Sequence, residues 1–215
     1  MKMFGDATIL CGGKSSRMGF DKSLIKINGK YILQDIHDKL STVFDRVFLS
    51  ANPNTNISKF SIFEIELIQD IHADIVGPAA AVHTALTNAN SDYVFVIACD
   101  MPLINSLHIY HMMSVIKKAK PQALIPVNNN YKEVLYAFYH KSTLQAFHNS
   151  IKAGDYKMQI ILDQLDTYYL AQDESEQIDP QLKMFTNLNY QTDIKKVFGK
   201  DIIIKWLETW QWCKT

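Results

Sequence analysis

The first residues of this chain that can do chemistry form a glycine-rich, basic segment directly after a short apolar run. Residues 10–22 read Leu-Cys-Gly-Gly-Lys-Ser-Ser-Arg-Met-Gly-Phe-Asp-Lys. Gly12 and Gly13 let a ligand approach the backbone closely, and successive backbone N–H groups bind phosphate oxygens well. Arg17 and Lys22 add fixed positive charge at the far side of the loop. The segment therefore predicts a phosphate-binding loop.

Two common phosphate-binding motifs do not fit this segment. A P-loop requires a glycine five positions before Gly13, where Thr8 stands. The dinucleotide fingerprint G-x-G-x-x-G requires spaced glycines, whereas Gly12 and Gly13 are adjacent and the next glycine is Gly19. A longer phosphate loop of another type remains, with an ordinary glycine turn carrying solvated bases as the alternative.

A second candidate residue is Asp100, which follows the apolar run Tyr93–Cys99. That run does not alternate with polar residues, which predicts a central strand covered on both faces. In open α/β sheets, ligands bind beyond the carboxyl ends of the strands. A carboxylate placed there suits Mg²⁺, which takes one or two carboxylates together with phosphate oxygens. The alternative is a helix cap or a turn aspartate.

Polar residues also end other apolar runs. Asp70 follows the predicted strand Ile65–Ile68, while Ser50 and Asn52 end the predicted strand Arg46–Ala51. Because parallel strands end at the same edge of a sheet, we expect Asp70 to face the crevice of the glycine loop. From the residue alone, Asp70 suits a turn equally well.

The elements that must position these residues follow a βαβ pattern. Apolar runs alternate with helical patterns, which is typical of a mainly parallel sheet. The fold class we expect is α/β, as a single Rossmann-like three-layer domain over residues 1–199 followed by an apolar helix or extension at 200–215. The predicted strands are Thr8–Leu10, Arg46–Ala51, Ile65–Ile68, Tyr93–Cys99, Ala123–Val127, Val134–His140 and Thr167–Leu170.

Helices are predicted between these strands. Ile32, Leu33, Ile36 and Leu40 form one apolar helical face. Further helices are expected from Gly77-Pro78 to Leu86, from a cap at Asn105 or Ser106 to Lys118, and over Thr143–Ser150 and Tyr156–Gln164. The acidic segment Asp173–Pro180 is predicted to be an exposed loop, and His108 and His111 to be a surface pair.

Composition excludes several classes of protein. The 215 residues carry 22 acidic and 22 basic side chains, so there is no surplus of positive charge for nucleic acid polymers or anionic membranes. No apolar run approaches the roughly 20 residues of a membrane-spanning helix, and no signal-peptide pattern opens the chain. The three cysteines have no CxxC spacing that would indicate a zinc site. We expect a cytoplasmic protein.

The loop at residues 10–22 resembles a known family. Its pattern L-x-G-G-x-S-x-R-M-G-x-D-K is similar to the signature of the molybdenum cofactor guanylyltransferases, with Cys11 where alanine is usual. The resemblance implies a fold of the nucleotide-diphospho-sugar transferase type. It also implies transfer of GMP from Mg·GTP to molybdopterin with release of pyrophosphate.

The resemblance also implies roles for single residues. Arg17, Lys22 and Asp100 are expected to be catalytic, with Asp100 as the Mg²⁺ ligand. The residues expected to bind the nucleotide are Leu10, Cys11, Gly12, Gly13, Lys22, Ser50, Asn52, Asp70, Gly77 and Asp100. The segment Phe185–Asn189 resembles the family's F-x-N-x-N motif, which assigns Asn187 and Asn189 to molybdopterin.

Two departures from the family pattern concern the guanine base. Ser50 stands where the family generally has asparagine, and Ala81 stands where it has glycine. The alternatives are therefore transfer of another nucleotide, such as CMP, to a different phosphorylated acceptor, or a silent carrier of nucleotide or molybdopterin. A molybdoenzyme or a cofactor-handling chaperone is the expected protein partner. The tryptophan-rich residues 200–215 are expected to pack on the protein's own core or to contact such a partner.

Overall fold

The computed structural model describes residues 2–11, 24–27, 29–52, 57–72, 74–75 and 77–199. Most of the predicted phosphate loop, including Gly12, Gly13, Arg17 and Lys22, lies outside the described residues, as does the segment 200–215. In the described part of the chain, no helix is long and apolar enough to cross a membrane.

A mainly parallel sheet organises the chain. Its strands stand in the order β10-β7-β9-β6-β1-β4-β5, with β9 antiparallel to both neighbours and β8 paired with β7. A short hairpin of β2 and β3 stands apart. The strands are β1 (Phe4–Leu10), β2 (Lys26–Ile27), β3 (Lys30–Tyr31), β4 (Arg46–Ala51), β5 (Glu66–Gln69), β6 (Tyr93–Ala98), β7 (Ala123–Asn128), β8 (Tyr131–Lys132), β9 (Tyr136–His140) and β10 (Thr167–Leu170).

Helices cover both faces of the sheet. They are α1 (Ile32–Ser41), α2 (Pro78–Asn88), α3 (Ser106–Ala119), α4 (Leu144–Lys152), α5 (Met158–Leu162), α6 (Gln172–Glu176) and α7 (Gln191–Phe198). Alternate strand residues point to opposite faces. Ile9 and Ile97 accordingly pack in one core with α1 and α3, whereas Leu10 and Val96 pack in a second core with α2, α4 and α5. The predicted three-layer α/β fold is confirmed.

Local sequence explains where the helices begin. The Asn105 side chain accepts hydrogen bonds from the backbone N–H groups of Leu107 (3.0 Å) and His108 (3.2 Å), which caps α3. Pro78 occupies the first position of α2, where its missing N–H has no cost, directly after Gly77. Asp193 caps α7 by accepting from the N–H of Tyr190 at 2.7 Å.

Two predictions about the second half of the chain are wrong. The segment predicted as the loop Asp173–Pro180 begins inside helix α6, whose Ser175 is fully buried. His108 is not a surface residue, because its side chain is also fully buried and its Nε2 lies 2.9 Å from Ser175 Oγ. The tertiary contact between α3 and α6 overrides the polar composition of this segment.

At the amino-terminal edge of the sheet, a buried carboxylate is enclosed by donors. Asp6 Oδ2 accepts from the N–H of Asn90 (2.8 Å), the N–H of Ser91 (2.6 Å) and Ser91 Oγ (2.6 Å). Asp6 Oδ1 lies 3.4 Å from Arg46 Nη1, and Arg46 also makes a two-pronged contact with Glu66 at 2.7 and 2.8 Å. This cluster ties β1, β4, β5 and the start of β6 together.

Candidate active site

The carboxyl-terminal edge of the sheet gathers most of the predicted site residues that the structure describes. Asp70 follows β5, and its N–H donates to the carbonyl of Ala51 at 2.9 Å, which continues the pairing of β4 and β5. Asp70 is 8% exposed, and its Oδ1 accepts a hydrogen bond from the Ser50 hydroxyl. Burial raises the pKa of Asp70, against the opposing effects of the Ser50 hydrogen bond and the nearby His72.

Ser50 therefore contacts the protein's own carboxylate. Its side chain is 1% exposed, so it lies beneath Asp70 and within the sheet edge. The sequence assigned Ser50 to the nucleotide directly, whereas the structure gives it a contact through which it can orient Asp70. Asn52, two residues on, is also largely buried.

Asp100 lies on the other side of β1, in a turn at the end of β6. The turn is closed by a hydrogen bond from the N–H of Met101 to the carbonyl of Ala98 at 3.1 Å. The Asp100 side chain is partly exposed. A partly exposed carboxylate suits Mg²⁺, a hard cation that takes one or two carboxylates and completes its shell with phosphate and water oxygens. Among the described residues, no cluster of three or more His, Cys, Asp or Glu side chains is arranged to hold a metal.

The end of β1 joins these two flanks. The N–H of Cys11 donates to the carbonyl of Ser50 at 2.8 Å, and the N–H of Cys99 donates to the carbonyl of Leu10 at 3.1 Å. The main chains of Leu10 and Cys11, which are both predicted to bind the nucleotide, therefore take part in the hydrogen bonding of the sheet. Neighbouring strands lie about 4.8 Å apart, so β5 and β6, three steps apart in the strand order, are separated by roughly 14 Å. Asp70 and Asp100 are thus spaced for a ligand larger than a single ion.

The segment carrying Asn187 and Asn189 reaches the same edge. The N–H of the intervening Leu188 donates to the carbonyl of Asp100 at 2.9 Å. Leu188 is buried while both asparagines are exposed, so the two amides flank one anchored residue. The segment forms no strand, and Asn187 donates from Nδ2 to the carbonyl of Phe185 at 3.3 Å.

Gly77 and Ala81 belong to the start of α2. Gly77 has a φ of 164°, which is extended backbone that any residue adopts, and a Cβ built there would meet no described heavy atom within 4 Å. The packing of the described residues therefore does not demand glycine at position 77. Ala81 is 9% exposed and packs in the core beneath α2, so its methyl group belongs to the core on that face.

Sequence reasoning missed a cluster of histidines beside Asp70. His72 Nε2 lies 3.2 Å from His83 Nδ1 on α2, and the ring of His83 lies 5.8 Å from that of His148 on α4. Burial lowers the pKa of His83, and the neighbouring rings of His72 and His148 lower it further. The three residues are far apart in sequence, so no spacing signal could have found them.

A carboxylate on the far side of Asp100 was also missed. Glu133 precedes the turn into β9, and its Oε1 accepts from Asn128 Nδ2 at 3.1 Å. Two residues on, the carbonyl of Leu135 accepts from the N–H of Ala98 at 3.1 Å, which places this turn beside the end of β6. Burial raises the pKa of Glu133, and the Asn128 hydrogen bond opposes that shift.

Comparison with known proteins decides the family. A family model described as the MobA-like NTP transferase domain matches residues 7–168. The chain belongs to this family. As a MobA-like NTP transferase, it is a nucleotidyltransferase.

Individual members of the family cover nearly the whole chain. A probable molybdenum cofactor guanylyltransferase of Peptoclostridium acidaminophilum is 34% identical over 200 residues, covering 91% of this chain and 89% of the relative. The molybdenum cofactor guanylyltransferase of Syntrophotalea carbinolica is 33% identical over 193 residues, covering 90% of each. The crystal structure of molybdopterin-guanine dinucleotide biosynthesis protein A from Archaeoglobus fulgidus superimposes with a TM-score of 0.80 at 28% identity, covering 90% of this chain and 97% of that one.

Proposed function

We propose that this MobA-like NTP transferase transfers GMP from Mg·GTP to molybdopterin in the cytoplasm, forming molybdopterin guanine dinucleotide and pyrophosphate. The observation that carries the proposal is the hydrogen bond from Leu188 to Asp100. It joins the segment assigned to molybdopterin to the main chain of Asp100, whose side-chain carboxylate is assigned to Mg²⁺, so the two substrates would meet beside one residue. The names of the relatives from P. acidaminophilum and S. carbinolica support guanylyl transfer over the use of CTP.

The nucleotide would lie over the ends of β1, β4 and β5. Asp70, backed by Ser50, supplies a carboxylate that can accept hydrogen bonds from N–H or O–H donors of the nucleoside. Gly77 would leave the start of α2 open to close approach of the ligand. Gly12, Gly13, Arg17 and Lys22, which lie outside the described residues, would surround the triphosphate.

The acceptor would lie on the other side of Asp100. Asn187 and Asn189 carry amides that both donate and accept hydrogen bonds, which suits a polar heterocycle. Leu188 anchors their segment, so both amides are held at a fixed distance from Asp100. This rigidity would align the terminal phosphate of molybdopterin with the triphosphate.

The chemistry requires positioning and charge neutralisation. The terminal phosphate of molybdopterin attacks the α-phosphorus of GTP, a new P–O bond forms, and the bond to pyrophosphate breaks. Asp100 would hold Mg²⁺ together with triphosphate oxygens, and the metal would supply positive charge for the phosphates. Arg17 and Lys22 would stabilise the charge that develops on the transferred and leaving groups. Asp70, Asn187 and Asn189 would orient the two substrates, which would contribute the rest of the rate acceleration.

The test is a direct assay for the guanine dinucleotide product. The full-length chain is incubated with molybdopterin and Mg²⁺ and with GTP, CTP, ATP or UTP in turn, and product and pyrophosphate are quantified by chromatography. We expect product with GTP, and a Lys22→Ala variant that folds normally is expected to lose turnover by orders of magnitude. Preference for CTP, or tight GTP binding without pyrophosphate release, would contradict the proposal.

The remaining assignments concern the ends of the domain. We assign catalysis to residues 1–199 and treat residues 200–215 as an extension that contacts a molybdoenzyme or a cofactor-handling chaperone. Truncation after Gly199 should leave dinucleotide synthesis intact and reduce capture of the purified partner. Unchanged partner capture by the truncated chain would count against this role of the extension.

A further inference from the structure

The three residues that follow β5 are each held by a different side chain. Asp70 Oδ1 accepts from the hydroxyl of Ser50 on β4. The N–H of Ile71 donates to Thr84 Oγ1 on α2 at 3.0 Å. His72 Nε2 lies within hydrogen-bonding distance, 3.2 Å, of His83 Nδ1. Residues 70–72, which we call the β5 turn, are therefore fixed from below by the sheet and from the side by α2.

The two contacts from α2 come from adjacent residues inside the helix. Thr84 is fully buried and His83 is 7% exposed. The Thr84 hydroxyl also donates to the carbonyl of Ala80 at 3.0 Å, one turn back, which orients its lone pairs. The geometry of the β5 turn is thus set by a helix interior, which is more rigid than a loop.

The histidine contact depends on protonation. A hydrogen bond between two imidazoles needs one N–H donor and one unprotonated nitrogen acceptor. The charged and titratable groups that face His83 are His72 from the β5 turn and His148 from α4, and Asp70 lies beyond His72. Protonation of both His72 and His83 would replace the hydrogen bond with repulsion between like charges. The hydrogen bond between His72 and His83 therefore forms at neutral pH and is lost when both rings are protonated.

We propose that Thr84 and His83 of α2 are positioning residues that hold Asp70 for the nucleotide, and that the His72–His83 contact makes nucleotide affinity acid-sensitive. The inference rests on the proposed function in one respect, because it takes Asp70 to contact the nucleoside. It goes further by assigning the orientation of that carboxylate to a helix that carries no predicted catalytic group. It also gives Ser50 a role in orienting Asp70, which a serine can fill although the family generally has asparagine at this position.

The first test compares two threonines of α2. Thr84 and Thr87 both donate to the carbonyl four residues back, but Thr84 also accepts from Ile71. Thr84→Val should raise the calorimetric Kd for Mg·GTP up to about tenfold, the effect of losing one partly buried hydrogen bond that holds the β5 turn. Thr84→Ser should restore binding, and Thr87→Val should leave it unchanged. In turnover assays, Thr84→Val should raise KM for GTP without changing KM for molybdopterin.

The second test uses pH. Affinity of the wild-type chain for Mg·GTP should fall as pH is lowered below 6.5, because the pKa of the buried His83 lies below the ordinary value for histidine. His83→Gln, which keeps a donor and an acceptor but cannot be protonated, should flatten that dependence. His148→Gln keeps the His72–His83 contact, so this variant should retain most of the pH dependence. A His83→Gln variant with the wild-type pH profile would overturn the acid-sensitive part of the proposal.

A ligand-free measurement separates this inference from the proposed function. Amide hydrogen exchange of Ile71 should be about tenfold faster in Thr84→Val than in wild type or Thr87→Val. Valine cannot accept the Ile71 N–H, so opening of the β5 turn no longer breaks that hydrogen bond. Faster exchange in a chain that does not bind GTP would uphold the positioning role and reject the proposed function. Unchanged exchange at Ile71, with unchanged GTP affinity in a folded Thr84→Val variant, would overturn the inference itself.

Discussion

The two edges of the central sheet treat buried carboxylates differently. At the amino-terminal edge, Asp6 is enclosed by Asn90, Ser91 and Arg46, and both of its oxygens have donors. At the carboxyl-terminal edge, Asp70 is similarly buried, yet its described hydrogen bond is the one from Ser50, and burial raises its pKa. A carboxylate has about four acceptor positions, so within the described part of the chain Asp6 has nearly a full set of donors and Asp70 does not.

The difference separates structural from functional polar groups within one fold. Burying an ionised group costs stability unless partners replace its water. Asp6 has those partners in the folded protein, and it therefore fixes the pairing of β1 with β4 and β6. Asp70, Asp100 and Glu133 stand where strands end and ligands can replace water. The same chemical group stabilises the fold at one edge and, under the proposed function, binds ligands at the other.

The largest effect should come from removing the metal ligand at the functional edge. Asp100→Asn is expected to reduce kcat/KM by roughly a thousandfold, because a metal supplies several kcal/mol of charge stabilisation at phosphates. Initial rates of pyrophosphate release over a range of Mg·GTP concentrations measure the loss. Thermal unfolding should remain close to wild type. A variant that keeps activity would show that the two edges do not differ in the way described.

The opposite result is expected at the structural edge. Asp6→Asn should lower the free energy of unfolding by about 3 kcal/mol, because the amide cannot accept all of the donors that surround Asp6, and Arg46 loses charge compensation. Urea denaturation measures the change. At a temperature where the variant remains folded, its KM for GTP should match that of wild type. A raised KM without destabilisation would contradict the division between the edges.

A buried histidine sharpens the comparison, because it stabilises the fold in one protonation state. Burial and the nearby His111 lower the pKa of His108 from 6.5 to about 4, against an opposing effect of Asp179. The unfolded chain binds this proton more readily, so stability is full above pH 6.5 and is lost as pH falls toward 4, by roughly 2–3 kcal/mol. His108→Gln should reduce this loss of stability, which is measured by comparing urea denaturation above pH 6.5 with denaturation near pH 4. His37→Gln, on α1, is the control and should not reduce it.

The smallest effect is expected at Glu133. Because burial raises the pKa of its carboxyl group, ionised Glu133 opposes folding, and this cost is present at pH 7 and disappears as pH falls through the raised pKa. Glu133→Gln should therefore increase the free energy of unfolding at pH 7 by about 0.5 kcal/mol. Denaturation at pH 7 and at lower pH measures this difference. Destabilisation like that of Asp6→Asn would mean that Glu133 belongs with the structural carboxylates.

Sequence periodicity predicted the fold well where elements are local. The strand Arg46–Ala51 and the strand Thr167–Leu170 have the predicted bounds, because turn residues follow an unbroken β-prone run. The first strand extends back to Phe4, since Asp6 breaks the apolar pattern although donors from other elements bury it. Helix α6 was missed for the same reason, as its burial depends on the distant His108.

The site divides along the same line. The sequence could place Asp70 and Asp100 at the carboxyl-terminal edge because each closely follows a strand, and parallel topology brings strand ends together. The histidines beside Asp70 and the contact of Ser50 could not be found, because they depend on which helix face meets which turn. The sequence predicts where a site residue lies in the sheet, whereas its contact partners depend on three-dimensional packing.

The reversed direction of β9 has a consequence for how such a site can change. Because β9 runs against its neighbours, the hairpin from Asn128 to Leu135 delivers its turn to the ligand edge on the acceptor side alone. The nucleotide side is built by earlier segments of the chain, at the ends of β1, β4 and β5. Under the proposed function, insertions or exchanges in this hairpin would therefore change which acceptor binds without disturbing the triphosphate side. In this proposal, the hairpin can vary while the ends of β1, β4 and β5 stay the same.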